Sequence, residues 1–172
     1  MNKPAVFFDR DGTLNHILFE DNGSPRSPRT FEEFKLVPDA KLVLDETKAR
    51  GYYNLIVSNQ PEIERGLLPT AEHEKIQDCV KSVLAVDDAF ICLHDNHHDC
   101  VCRKPKPGMI LAAAEKWEID LSRSYMVGDT NKDALAAKSA GVKCIIIDAP
   151  YNTGVQAEYH VKNLKEILDI IK

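Results

Sequence analysis

Val6-Phe7-Phe8-Asp9-Arg10-Asp11-Gly12-Thr13-Leu14 is the stretch around which the chain is organised. Ala5 to Phe8 are apolar without alternation, the pattern of a strand buried on both faces. Asp9 and Asp11 then stand where that strand gives way to a loop. In extended backbone, residues i and i+2 point the same way. Gly12 lets the chain turn immediately after them. Two carboxylates converging at the end of a strand must share a cation, share a proton, or repel each other. Open α/β sheets place their chemistry beyond the carboxyl ends of their strands.

Working outward, residues 15 to 30 are polar and irregular, punctuated by Asn22-Gly23, Pro25 and Pro28. They read as a surface loop, and their position after Asp11 makes them a rim for the site. Pro38-Asp39 opens a helix with Val43, Leu44 and Thr47 on one face and Gly51 as its stop. Leu55-Ile56-Val57 is a buried strand that ends at Ser58-Asn59-Gln60-Pro61. Thr70 is a plausible cap for the next helix, whose apolar stripe is Ile76, Val80, Val83 and Leu84. Phe90 to Leu93 form another strand. A helix carrying Met109, Ile110, Ala113 and Trp117 follows Lys104-Pro105-Lys106-Pro107-Gly108. Tyr125-Met126-Val127 is a strand leading into Gly128-Asp129. A small-residue helix runs from about Ala134 to Ala140, Cys144 to Ile147 form the last strand, residues 148 to 160 are loop-like, and an amphipathic helix with Leu164, Ile167, Leu168 and Ile171 closes the chain.

Five strands separated by helices predict a Rossmann-like parallel sheet with helices on both faces. Right-handed crossovers bring all strand ends to one edge, so Asp9, Ser58, Lys104 and Asp129 are expected to meet there. The 172 residues are expected to form one domain. A composition of 44% apolar and 28% charged residues is that of an ordinary globule, and a net charge of -5 with no basic stripe argues against a nucleic-acid partner. No apolar run approaches the ~18 residues of a membrane span. Met-Asn-Lys-Pro passes directly into a strand, so no signal peptide is expected and a cytoplasmic location is.

The carboxylates suit a hard divalent cation such as Mg2+, with Asp9 and Asp129 as direct ligands and the Asp11 carbonyl as a third. With its charge offset, Asp9 can attack a phosphate as a nucleophile, and Asp11 can protonate the leaving alcohol and then activate water. Ser58 and Lys104 are placed to hold the phosphoryl oxygens. Asp133 can lean back toward a metal-bound water. Cys92, His94, Cys100 and Cys102 offer three thiolates and one imidazole, a closed tetrahedral set that fits a structural zinc. His16 is close enough to the first motif to reach a substrate, whereas His97 and His98 read as solvated turn residues. Cys79 and Cys144 read as core.

Asp9-Arg10-Asp11-Gly12-Thr13, Ser58-Asn59-Gln60, Arg103-Lys104-Pro105-Lys106-Pro107-Gly108-Met109 and Val127-Gly128-Asp129 with Asp133 resemble, in order, the four signature motifs of the haloacid-dehalogenase-like phosphatases. The subgroup resembled contains the D-glycero-D-manno-heptose 1,7-bisphosphate phosphatases and the histidinol-phosphate phosphatase domain. The resemblance implies no large cap domain, a short zinc loop at residues 92–102, Asp9 as nucleophile, Asp11 as general acid/base, and Mg2+ held by Asp9, Asp11 and Asp129. It implies a small phosphorylated metabolite as the partner, a monomer, and a place in carbohydrate metabolism, specifically lipopolysaccharide biosynthesis. Asn59, Arg65, Arg103 and Asp133 are the expected substrate contacts, and Arg26 and Arg29 can extend an anion-binding rim. The Arg65-Gly66 pair resembles the heptose-bisphosphatase pattern, and the five-residue gap before Cys100 resembles the histidinol-phosphatase zinc loop. A heptose 1,7-bisphosphate is the first expectation and histidinol phosphate the second. A non-catalytic zinc-containing binding module is the third, although a binder has no need of both Asp9 and Asp11.

Overall fold

The computed structural model describes residues 2–172. In its first strand, β1 (Ala5–Phe8), every residue is buried. Val6 and Phe8 enter one apolar cluster, and Ala5 and Phe7 enter another. Alternate side chains therefore point to opposite faces, and with both faces covered no position is left for a polar residue. After β1 come a hairpin of β2 (Leu18–Phe19) and β3 (Pro25–Arg26), then α1 (Ala40–Ala49), β4 (Tyr53–Asn59), α2 (Thr70–Val83), β5 (Asp88–Cys92), α3 (Gly108–Trp117), β6 (Tyr125–Gly128), α4 (Asn131–Ala140), β7 (Lys143–Ile147) and β8 (Tyr159–Val161).

Six of these strands form one parallel sheet in the order β5-β4-β1-β6-β7-β8. The chain builds outward from β1 on one side, returns, and builds outward on the other. The crevice at such a reversal lies beyond the carboxyl end of the central strand, where Asp9 follows Phe8. On one face, Val43 and Leu44 of α1 and Ile76 and Val80 of α2 pack with Phe8, Ile56 and Val127. On the other, Met109, Ile110 and Ala113 of α3 and Ala136, Ala137 and Ala140 of α4 pack with Phe7, Leu55 and Met126. Alanines on α4 let that helix lie close to the sheet. No helix among the described residues is long and apolar enough to cross a membrane.

Several elements differ from the sequence reading. The sheet has a sixth strand, β8, which begins at the end of the stretch read as loop at residues 148–160 and runs one residue past it; its three residues Tyr-His-Val are too few to show a period. Residues 15–30 contain the antiparallel β2–β3 pair, with Asn15 bridged to Leu36 beneath it. Thr70 is not a cap: Pro69 occupies that position, and Thr70 is already the first helical residue. Val83 turns out to solvent, while Ile76, Val80 and Leu84 are buried. Helix α4 begins at Asn131, three residues before the first alanine, because Asp133 accepts bonds from the Thr130 main-chain N–H and hydroxyl at 2.9 and 2.6 Å. The closing helix is a 3-10 turn over Leu164–Asp169, whose period of three buries Leu164 and Ile167 and leaves Leu168 half-buried.

Candidate active site

The sheet delivers Asp9 after β1, Ser58 and Asn59 at the end of β4, Lys104 after the loop that follows β5, and Asp129 after β6. All five line one cavity of about 530 Å3. At its floor the Lys104 ammonium lies 2.9 Å from Asp9 Oδ1 and 2.6 Å from Asp133 Oδ1, and Lys104 is only 2% exposed. Burial works against that charge, but Asp133 and Asp9 more than offset it, and the Lys104 pKa lies above the ordinary lysine value. The Lys104 main chain is clamped by Asn59, whose Oδ1 accepts from the Lys104 N–H and whose Nδ2 donates to the Lys104 carbonyl, both at 3.0 Å. Asn59 thus positions Lys104 as well as lining the cavity.

The first motif does not stay extended through Asp11. The N–H groups of Thr13, Leu14 and Asn15 all turn back to the Arg10 carbonyl. The Asp9 and Asp11 carboxylates consequently meet different partners. Burial, opposed by Lys104, pushes the Asp9 carboxyl up to about 6. Asp11 is gripped by the wholly buried Arg10 through two oxygens, at 3.0 and 3.1 Å, and by Gln60 Nε2 at 2.7 Å. Burial alone would raise the Asp11 pKa, yet Arg10 and then Gln60 bring it below the usual carboxylate value. Gln60 also accepts from Arg10 Nη2 at 2.7 Å and donates to Ser58 Oγ at 3.0 Å. One amide therefore fixes the acid, its counter-ion and the serine together. Behind this network lies His73. Its burial, with Arg10 adding repulsion, pushes the imidazole down to about 4.

Asp129 is oriented from three sides. Tyr151 Oη donates to its Oδ2 at 2.7 Å, and Asn152 Nδ2 donates to its main-chain carbonyl at 2.6 Å. Gly12 (φ +84°) leaves the third side open: a Cβ there would sit 2.1 Å from Oδ2. Asp129 Oδ1 is buried with no partner among the described residues. Burial, then the negative charge of Asp9 and Asp133, push Asp129 up to about 8. The orphaned Asp129 Oδ1, with an Asp9 carboxylate oxygen within 4.8 Å of it, fits the oxygen donors that a hard divalent cation takes. Asp133 is the exception to the expected substrate contacts. It is 0% exposed, it does not line the cavity, and both oxygens are engaged by Lys104, Thr130 and the Asp129 N–H. Gly128 makes room for it, since a Cβ there would meet Asp133 Cγ at 2.4 Å.

The loop before Lys104 gathers Cys92, His94, Cys100 and Cys102, all within 4.8 Å of one another. Cys92 Sγ lies 3.5 Å from His94 Nδ1, 3.7 Å from Cys100 Sγ and 3.2 Å from Cys102 Sγ. Arg103 follows directly and donates to His94 O and Asn96 Oδ1, each at 2.8 Å, while lining the cavity. Arg65 lines it too, paired with Glu62 at 3.0 Å and with Asp95. The β2–β3 hairpin closes the opposite wall through Arg26 and its neighbours. His16 does not reach this cavity; it lines a separate crevice beside Val37, Pro38 and Lys162. His97 and His98 gather on Glu64 at the surface. The roles of Arg10 and Gln60 inside quoted motifs were missed, although an arginine placed between two aspartates is a visible signal. Tyr151 carried no signal at all.

The family model described as "HAD-hyrolase-like" matches residues 101–167. The chain is 35% identical, over 98% of its length and 97% of the relative's, to the D-glycero-beta-D-manno-heptose-1,7-bisphosphate 7-phosphatase of Helicobacter pylori (strain J99 / ATCC 700824). It is 32% identical, over 99% and 97%, to the protein of the same name in Pasteurella multocida (strain Pm70). Its fold superposes on the crystal structure of the D,D-heptose 1.7-bisphosphate phosphatase from B. bronchiseptica, complexed with magnesium and phosphate, with a TM-score of 0.83 at 24% identity and 97% coverage of both chains.

Two measurements check this geometry. Tyr151→Phe should weaken Mn2+ binding roughly tenfold in a spin-resonance titration, with the melting temperature unchanged, because the Asp129 rotamer loses its guide; unchanged Mn2+ affinity would contradict the role given to Tyr151. His73 has a folded value near 4 against ~6.5 in the unfolded chain, so the unfolded state takes the proton first as pH falls. Its contribution is present above pH ~6.5 and is lost on the way down to about 4. Because His73 is only half-buried, solvent screens part of this effect, and His73→Gln should recover about 1 kcal/mol of the urea-unfolding stability that the wild type loses between about pH 7.5 and 5. Identical pH slopes for the two proteins would contradict this.

Proposed function

We infer the reaction from the family, for the chain belongs to the haloacid-dehalogenase-like hydrolases and is a phosphatase acting on phosphoric monoesters. The substrate is a small phosphosugar, and we take it to be D-glycero-beta-D-manno-heptose 1,7-bisphosphate, cleaved at the 7-phosphate, as the names of the relatives read. The observation that carries the reaction is the Asp9–Lys104 pair at the cavity floor: a nucleophile within 2.9 Å of a buried cation that can hold the phosphoryl group it attacks.

Asp9, Asp129 and the Asp11 main chain would hold Mg2+, which when bound supplies positive charge against the repulsion between carboxylates and phosphate. The Asp9 carboxylate attacks phosphorus, and the bond from phosphorus to the sugar oxygen breaks. Asp11 gives its proton to that oxygen. In the second half Asp11 takes a proton from water, which attacks the aspartyl-phosphate and releases phosphate and free Asp9. Arg10 and Gln60 favour the ionised Asp11 that the second half requires, and Asp11 enters the first half carrying, against their pull, the proton taken from water in the preceding turnover. Ser58 Oγ and Lys104 hold the phosphoryl oxygens through both halves. Asp133 serves from below, by keeping Lys104 charged and in place. Arg103 and Arg65 are the candidates for contact with the rest of the substrate.

Zinc is the metal we assign to the cysteine loop. With Zn–S of ~2.3 Å, a tetrahedron has S···S edges of roughly 3.8 Å; Cys92 and Cys100 lie 3.7 Å apart and Cys92 and Cys102 3.2 Å, so the first pair matches that edge and the second is shorter. Four protein donors leave no open position, so this site braces the loop that ends in Arg103 and Lys104. The protein acts as a monomer in the cytoplasm on this reading, as one domain with the hairpin as rim.

Steady-state kinetics across both heptose 1,7-bisphosphate anomers, histidinol phosphate and p-nitrophenyl phosphate test the substrate. A kcat/KM preference of at least roughly 100-fold for the beta anomer is expected, and an equal or higher value for histidinol phosphate would overturn the choice. In the same assay Asp9→Asn should lose turnover by at least about 1,000-fold; retained turnover would remove Asp9 as nucleophile. Elemental analysis should find one zinc per chain in the wild type and none in Cys100→Ser, and a folded wild type free of zinc would refute the assignment.

A further inference from the structure

Three groups of side chains among the described residues bring metal-ligating atoms within 4.8 Å of one another. Two have been met: the cysteine loop, and the acids at the cavity floor. The third is Glu64, His97 and His98, and the reaction makes no use of it. None of these three lines the cavity, although their neighbours Arg65 and Asn96 do. Glu64 stands in the segment after β4. The histidines stand in a turn of the cysteine loop, closed by the His98 N–H donating to the Asp95 carbonyl at 3.2 Å.

The contacts in this group are those of donors facing one point. Glu64 Oε1 accepts from His98 Nε2, and His97 Nε2 lies 3.8 Å from the same oxygen. On the far side of that ring, His97 Nδ1 lies 3.9 Å from Asp95 Oδ2. Both His97 distances exceed hydrogen-bond length, so no direct bond explains why this imidazole stands between two carboxylates. A shared ion explains it. Two donors ~2.1 Å from one ion are at most roughly 4.2 Å apart, and 3.8 Å falls inside that span. A carboxylate at the far nitrogen is the partner that orients a metal-bound imidazole. The turn is also braced in advance. Asp95 Oδ1 accepts from the Asn96 N–H at 2.6 Å, and Arg103 donates to Asn96 Oδ1 at 2.8 Å. The second Glu64 oxygen accepts from the Asp95 N–H, which already joins the two segments.

We propose that Glu64, His97 and His98 form a second metal site, separate from the cysteine site, for a borderline divalent transition ion such as Zn2+, Ni2+ or Co2+. Two imidazoles and a carboxylate suit such an ion, whereas Mg2+ and Ca2+ take oxygen ligands throughout. The metal takes the place of the proton that His98 Nε2 shares with Glu64. Three protein donors leave positions open to water, and all three residues are exposed. The site therefore holds its ion less firmly than the four donors of the cysteine loop, and it loads from added metal. When loaded, it clasps the segment after β4 to the cysteine loop, behind the wall where Arg65 and Arg103 stand.

The test is equilibrium dialysis of the untagged full chain against micromolar Ni2+, with Mg2+ in excess to occupy the active-site acids. Elemental analysis then reads nickel and zinc separately. The wild type should take up about one Ni2+ per chain and keep its zinc. His97→Ala, His98→Ala and Glu64→Gln should each weaken the uptake at least roughly tenfold. His160→Ala, at a histidine–aspartate pair elsewhere on the surface, should leave it unchanged. A wild type that takes up no Ni2+, uptake that displaces an equal amount of zinc, or uptake unaltered in His97→Ala would each overturn the site. A wild type that carries no zinc, yet takes up Ni2+ that His97→Ala loses, would keep this site and remove the zinc assignment of the cysteine loop.

Discussion

The rest of the site depends on one buried charge. Lys104 carries an ammonium into a nearly solvent-free floor, where an unpaired charge costs several kcal/mol or more. It is tolerable only because Asp9 and Asp133 stand on either side of it. Those carboxylates come from the end of β1 and from the first turn of α4, and the lysine from the loop after β5. Three separate segments must therefore reach their final positions together. Taking the lysine away would leave two buried carboxylates facing each other beside a third, Asp129.

Much of the surrounding structure is explained as support for that contact. Asn59 clamps the Lys104 main chain from the end of β4, so the strand that supplies Ser58 also fixes the lysine. The cysteine loop ends one residue before Arg103 and two before Lys104, and most of its residues are exposed. A loop with so little apolar content is held by its Cys and His side chains converging, and by Arg103 reaching back to His94 and Asn96. On the other side, Tyr151 and Asn152 settle Asp129, and Gly12 and Gly128 leave the space that the Asp129 and Asp133 carboxylates fill. Arg10 and Gln60 set Asp11 apart from Asp9, so two aspartates a single residue apart occupy different environments. Unequal environments are what allow one to attack while the other moves protons.

The parallel sheet and the meeting of Asp9, Ser58, Lys104 and Asp129 were legible in the sequence because buried parallel strands are short apolar runs, and each run here ends at a polar motif. The misses have equally physical causes. Strand β8 is three residues long and the hairpin strands are two each, below the length at which a period can show. Thr70 looked like a cap because residue type was read without the proline before it. Asp133 was expected at the substrate because it belongs to a motif that faces the substrate; its direction is set by the helix start at Asn131, which spacing alone placed three residues too late. Tyr151 reaches Asp129 from a loop 22 residues further along, and such a contact exists only after β7 has placed that loop beside β6.

The account stands or falls on Asp9 as the phosphate acceptor. Rapid quench of a single turnover in acid with substrate labelled in the scissile phosphate, followed by borohydride reduction and peptide mass spectrometry, reads this directly. The account predicts a transiently labelled, hydroxylamine-sensitive protein whose reduction product is homoserine at position 9. Full turnover with no labelled protein at any time, or label at another residue, would contradict it.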